Sequence, residues 1–191
     1  MSTRKGIILL VALSLMTNGV FYAAFADHDE HKERKRYQKR HRNGSENYRK
    51  SYLKPVDNST YKEICGDCHF AYQPELLPLG SWEKILAGFA DHFGEEIELD
   101  QESKKIIAEY LKANVAEYSS AKTAVKIMRS LKGQTPMRIT DVPYIRHKHE
   151  DDDIPADAFT RKSVRSMSNC IACHTTAENG IYDDDHIVIP K

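Results

Sequence analysis

The stretch EICGDCHF, residues 63–70, sets two cysteines three positions apart with a histidine directly after the second. Farther on, SNCIACHT at residues 168–175 repeats the arrangement with Cys170, Cys173 and His174. The chain has four cysteines, all in these two motifs, so one reading must use them all. Two disulfides would be ordinary in an exported chain but leave both trailing histidines unexplained. A thioredoxin-like redox pair wants a strand before the motif, and the flanks here read as helical. Zinc pairs of this type lie about 15–20 residues apart, far closer than these. C-x-x-C-H is the attachment pattern of c-type haem. Residues three apart share one side of a helical turn, so Cys65 with Cys68, and Cys170 with Cys173, can each bond one porphyrin. His69 and His174 then stand under the iron as proximal ligands. The sequence thus predicts two covalently bound haem c groups.

The 191-residue chain begins with a segment that fits export. Arg4 and Lys5 precede an apolar stretch from Gly6 that ends in Ala24-Phe25-Ala26. That is the pattern of a signal peptide over residues 1–26, cleaved after Ala26, which predicts a periplasmic protein. The rival reading, an uncleaved membrane anchor, is interrupted by Thr17-Asn18-Gly19. The formal net charge of zero hides a segregation along the chain. Residues 27–60 carry ten Lys or Arg against six Asp or Glu, and residues 61–191 carry sixteen against twenty-two. Residues 27–59 hold almost nothing aliphatic to bury and are expected to be a basic disordered tail. The plain reading of that tail is a solvated spacer. The sharper one is a tether for anionic lipid or an acidic face, that is, peripheral membrane contact. Nucleic acid is not an expected partner of an exported protein.

The body reads as helices joined by polar loops. Thr60 and Glu63 are spaced as a capping box, so a helix carrying the first motif should begin near Tyr61 and end before Pro74. Ser81 can cap a second helix, residues 82–93, that stops at Gly94. On it Trp82, Ile85, Phe89, His92 and Phe93 share one face. Asp100 caps a third, residues 101–118, with Ile106, Ile107, Tyr110 and Leu111 inward. A fourth runs from about Ser120 to Leu131. Residues 134–145 read as extended and 147–155 as a charged loop. A last helix carries the second motif to Gly180, and residues 183–191 could form one short extended segment.

CGDCHFAYQPELLP, SWEKILAGFADHFGE, MRITDVPYIRHKHE, SNCIACH and the terminal IVIP occur in order from Tyr61 to Pro190. In these stretches the body resembles the dihaem cytochrome c family of small soluble proteobacterial proteins, and the basic tail falls outside the resemblance. The resemblance implies a mainly α fold. A small cytochrome c-like unit, residues 60–118, is followed by a second carboxy-terminal haem unit with long loops, residues 119–191. It implies an electron carrier rather than an enzyme, with bis-histidine irons. It also implies redox partners such as a membrane cytochrome b or a small soluble haem protein.

Each iron then needs a distal ligand. His28, His31 and His41 lie in the tail. His92 on an apolar helix face would ordinarily be a core histidine, but with two irons to satisfy it becomes a ligand, and the resemblance agrees. His147 and His149 compete, and the resemblance places the ligand at His149. His186, after three aspartates, reads as exposed. Met137, in a loop after a proline, is the main rival sixth ligand. Met128 reads as core, and Met167 sits too near the proximal side of its own haem. Chain order favours His69 with His92 and His174 with His149, and a crossed arrangement stays open. Backbone carbonyls near Pro74 and Pro78 are candidates to orient the proximal rings. Two other functions compete with a carrier. One is a peroxidase- or oxidase-type haem enzyme and the other a haem-based gas or redox sensor, each with one open iron.

Overall fold

A computed structural model of the chain describes residues 34–36, 38–39, 52–150 and 153–191. The expected signal peptide and most of the basic tail lie outside the described residues. The chain divides into two compact units, residues 1–48 and 49–191. In the first, residues 34–36 and 38–39 are helical and exposed. Among the described residues no helix is long and apolar enough to cross a membrane.

The second unit is mainly α, with short 3-10 turns, two isolated β-bridges and no strand among the described residues. Five helices follow one another: α1 Ser59–Gly66, α2 Leu79–Ala87, α3 Gln101–Ala113, α4 Lys122–Leu131 and α5 Pro143–His149. Each starts and stops for a local reason. Asn58, not Thr60, caps α1, its side chain accepting from the Tyr61 amide at 2.8 Å. Asp100 caps α3 through the Ser103 amide at 2.9 Å, as expected. Helix α4 ends where Lys132 (φ 48°) and Gly133 (φ 85°) turn left-handed. Pro143 occupies the first turn of α5, where its missing N–H costs nothing.

Several expected elements differ. The second helix begins after Pro78 rather than at Ser81, which lies buried inside it. It stops at Gly88, whose amide closes back on Lys84 and Ile85, so His92 lies beyond it in a separate turn. Residues 134–149, expected to be extended and then a charged loop, contain a 3-10 turn at Ile139–Asp141 and all of α5. The second motif sits on a single 3-10 turn, Cys170–Ala172, not on a continuous helix. The tail was expected to run to position 59. It is anchored from Tyr52 onward: Leu53 is buried in the core and donates its amide to the Gly180 carbonyl at 3.2 Å.

One apolar cluster organises this unit. Leu76, Leu77, Trp82, Ile85 and Phe89 from the first half pack with Ile107, Leu111 and Val115 of the α3 region. Ala124, Ile127 and Leu131 of α4, with Ile139 and Val142, belong to the same cluster. The expected boundary between residues 118 and 119 therefore falls within a shared core. Trp82 Nε1 donates to the Pro74 carbonyl at 2.8 Å, and the Ala116 amide to Leu77 at 3.1 Å. These bonds fix the loop after the first motif against the helices behind it.

Candidate haem-binding sites

Four of the six histidines of the second unit meet as two pairs, one beside each cysteine motif. His69 and His92 face each other with ring centroids 6.3 Å apart and planes 24° from parallel. His149 and His174 do so at 6.0 Å and 70°. An imidazole nitrogen binds a metal ion at about 2.0–2.1 Å, and the ring centroid lies roughly 1.1 Å further out, so two rings on opposite sides of one ion are about 6.3 Å apart. Both pairs have that spacing.

At the first site, α1 carries Cys65 and ends at Gly66, leaving Cys68 and His69 on the exposed turn that follows. His69 Nδ1 donates to the Phe70 carbonyl at 2.8 Å. That bond fixes the tautomer and leaves Nε2 with a free lone pair, as metal-ligating histidines require. The carbonyls expected to orient it are engaged elsewhere: Pro74 by Trp82, Pro78 by the Ser81 and Trp82 amides. Tyr72 stacks on the His69 ring at 5.0 Å. His92 stands opposite, in a turn closed by His92–Glu95 backbone bonds of 2.7 and 3.3 Å. Burial lowers its pKa, with the neighbouring His69 and Arg138 adding to the effect, so the ring is held neutral.

At the second site, the His174 amide donates to the Cys170 carbonyl at 2.8 Å, one helical turn that sets both cysteines and the histidine together. Burial lowers the His174 pKa, and His149 lowers it further against the opposing pull of Asp184. Its Nδ1 is buried with no hydrogen-bond partner among the described residues, so this ring lacks the orienting carbonyl that His69 and His149 have. His149, the last residue of α5, donates Nδ1 to the Ile145 carbonyl at 2.7 Å and thus presents Nε2. His147, two residues earlier, is exposed and faces no other histidine ring among the described residues. Burial pushes the Cys65 and Cys170 thiols up to about 11.

The other candidates lie elsewhere. His186 is exposed and pairs with the Asp183 carboxylate. The Met137 methyl is close enough to Gly88 that a Cβ there would meet it at 3.8 Å. Met128 packs against the apolar cluster.

Sequence reasoning missed the residues that tie the two sites together. Tyr72 Oη donates to the Ser168 carbonyl at 2.6 Å, and the Cys170 amide donates to that same carbonyl at 3.0 Å. Its neighbour Gln73, fully buried, donates to the Ala177 carbonyl at 2.6 Å and accepts from Tyr182 Oη at 2.6 Å. The Tyr182 ring in turn lies 5.3 Å from His174. Burial pushes Tyr72 up to about 12 and raises Tyr182 well above its ordinary value, so both stay protonated donors. A Tyr-Gln pair just after a cysteine motif carries no signal at sequence level, because its partners are about a hundred positions away.

The residues present therefore fit a haem c at each motif. The family model described as dihaem cytochrome c matches residues 61–182. Among solved structures the chain is similar to a diheme cytochrome c from Rhodobacter sphaeroides. The identity is 39% and the TM-score 0.60, over 69% of this chain and 99% of that one. It is also similar to a diheme cytochrome c from Shewanella baltica OS155, at 34% identity and a TM-score of 0.57, over 71% of this chain and 94% of that one. No curated protein matches the chain. With Cys65, Cys68, Cys170 and Cys173 to bond two c-type haems covalently, the chain belongs to the dihaem cytochrome c family.

Proposed function

We propose that this protein is an exported electron-transfer carrier whose two irons are each ligated by two histidines, His69 with His92 and His174 with His149. The observation that carries the reading is the pair of facing imidazoles, with centroids 6.3 and 6.0 Å apart. Each haem, when bound, supplies a one-electron iron couple. The protein's share is to hold four imidazoles in place. The Phe70 and Ile145 carbonyls fix the His69 and His149 tautomers and make those rings better donors. A second histidine at each site excludes outside ligands from the metal, which favours a carrier over an oxidase or a gas sensor. Imidazole on both sides also holds the potential below that of a methionine-ligated cytochrome.

The finer parts of the reading rest on the sequence. Residues 1–26 form the export signal, and the mature protein acts in the periplasm. Its partners are redox proteins, a membrane cytochrome b or a small soluble haem protein on the family resemblance, and the basic tail is a solvated spacer, with peripheral membrane contact as its alternative role. Residues 60–118 and 119–191 each serve one haem. A redox titration of the purified mature protein, followed by visible absorption, tests the reading. Two low-spin one-electron transitions at low potential support it. A high-spin component in the untreated protein overturns it.

A further inference from the structure

His92 is held in place by a feature that the pattern around it does not announce. Residues 92–95 form a two-residue turn in which Phe93 (φ 58°) and Gly94 (φ 100°) are both left-handed. Positive φ at both central positions is the type I′ geometry, which favours Asn-Gly and strains a bulky first residue. Such strain on a non-glycine residue concentrates at ligand clamps. The Phe93 ring makes two contacts that an asparagine would not. It lies 4.8 Å from the His92 ring, inclined at 62°. The guanidinium of Arg138, from the segment before the Ile139–Asp141 turn, sits over it at 3.9 Å. Phe93 is itself 43% exposed, so burial alone does not account for an aromatic residue on this turn.

We propose that Phe93 and Arg138 form a latch that holds the His92 imidazole in its ligating orientation, an inference that rests on the assignment of His92 as an axial ligand. The strained turn aims the phenyl ring along the His92 side chain. The cation from a distant part of the chain keeps the ring there. Without the latch, His92 projects from an exposed turn and spends more time rotated away. The apparent affinity of that iron for an outside ligand scales with the fraction of time the site is open.

Carbon monoxide uptake by the ferrous holoprotein reads that fraction directly. His92→Ala should open one haem per chain. Arg138→Gln leaves the turn untouched and should speed uptake at that haem about 2–5-fold, the factor that an exposed cation–π contact supplies. Phe93→Asn should speed it more, and because Asn-Gly is the pair this turn prefers, the turn itself survives. Phe93→Tyr keeps the ring and should restore wild-type behaviour. If Phe93→Asn and Arg138→Gln stay as closed as the wild type while His92→Ala opens, the latch is wrong and the ligand assignment stands. If His92→Ala is itself closed, the ligand assignment fails, and the latch with it.

Discussion

Gly180 offers a sharp test of how the second cysteine motif is anchored. It is buried, ends the Ala177–Asn179 turn with φ 73°, and accepts the Leu53 amide through its carbonyl at 3.2 Å. A Cβ at this position would lie 2.2 Å from the Leu53 carbonyl oxygen and 2.7 Å from its carbon. Leu53 cannot retreat, because it is itself only 3% exposed and packed in the core. Gly133 (φ 85°) is the control, since a Cβ there meets nothing within 4 Å. Alanine at either position incurs the left-handed backbone cost of about 1–2 kcal/mol. Gly180→Ala adds overpacking of about 1–3 kcal/mol. For a unit of this size each kcal/mol lowers the midpoint by about 2–4 °C. Thermal unfolding of the haem-loaded protein, followed by far-ultraviolet circular dichroism, should therefore place Gly180→Ala roughly 2–12 °C below Gly133→Ala. Equal midpoints for the two variants would refute the argument that the Leu53 backbone is fixed against this turn.

Three further outcomes follow from the same geometry. Gln73→Leu leaves the Ala177 carbonyl and Tyr182 Oη without their buried partner, and should lower stability by about 2–4 kcal/mol in denaturant titration. A loss below 1 kcal/mol would mean that this link between the two motifs is dispensable. His149→Ala should make one haem high-spin and open to carbon monoxide, whereas His147→Ala should leave both spectra unchanged; the reverse would reassign the ligand. The His186 pKa is raised above its ordinary 6.5, chiefly by the hydrogen bond to Asp183, and that of Asp183 is lowered below 3.8 by the same bond. The pair's contribution is complete between about pH 3.8 and 6.5. It fades as pH rises through the histidine's folded value or falls through the carboxylate's. Proton NMR should show His186 titrating above 6.5, and a midpoint at or below that value would contradict the pairing.

The cysteine motifs were legible because thioether attachment demands a fixed local spacing. The α3 and α4 helices were legible because capping at Asp100 and termination at Gly133 are local events. The element that carries His92 was not legible in the sequence. Its apolar spacing suggested a helix face, yet the helix stops at Gly88 and a turn presents the ring. The segment containing His149 was misread because its charges suggested a loop. Pro143 nonetheless starts a helix there, and the His149 ring bonds back to Ile145. Tyr72, Gln73, Tyr182 and Arg138 were invisible because their roles depend on contacts between residues far apart in the chain. No local pattern encodes a hydrogen bond from residue 72 to residue 168.

Near-infrared magnetic circular dichroism of the oxidised protein reads the axial ligands of both irons, because its charge-transfer band differs between bis-imidazole and imidazole–thioether ligation of low-spin ferric haem. If two histidines close each iron, both haems contribute a bis-imidazole band and nothing else. A band at the methionine position would place Met137 on an iron in place of His92 or His149, and a high-spin band would show that one facing histidine pair does not close its metal.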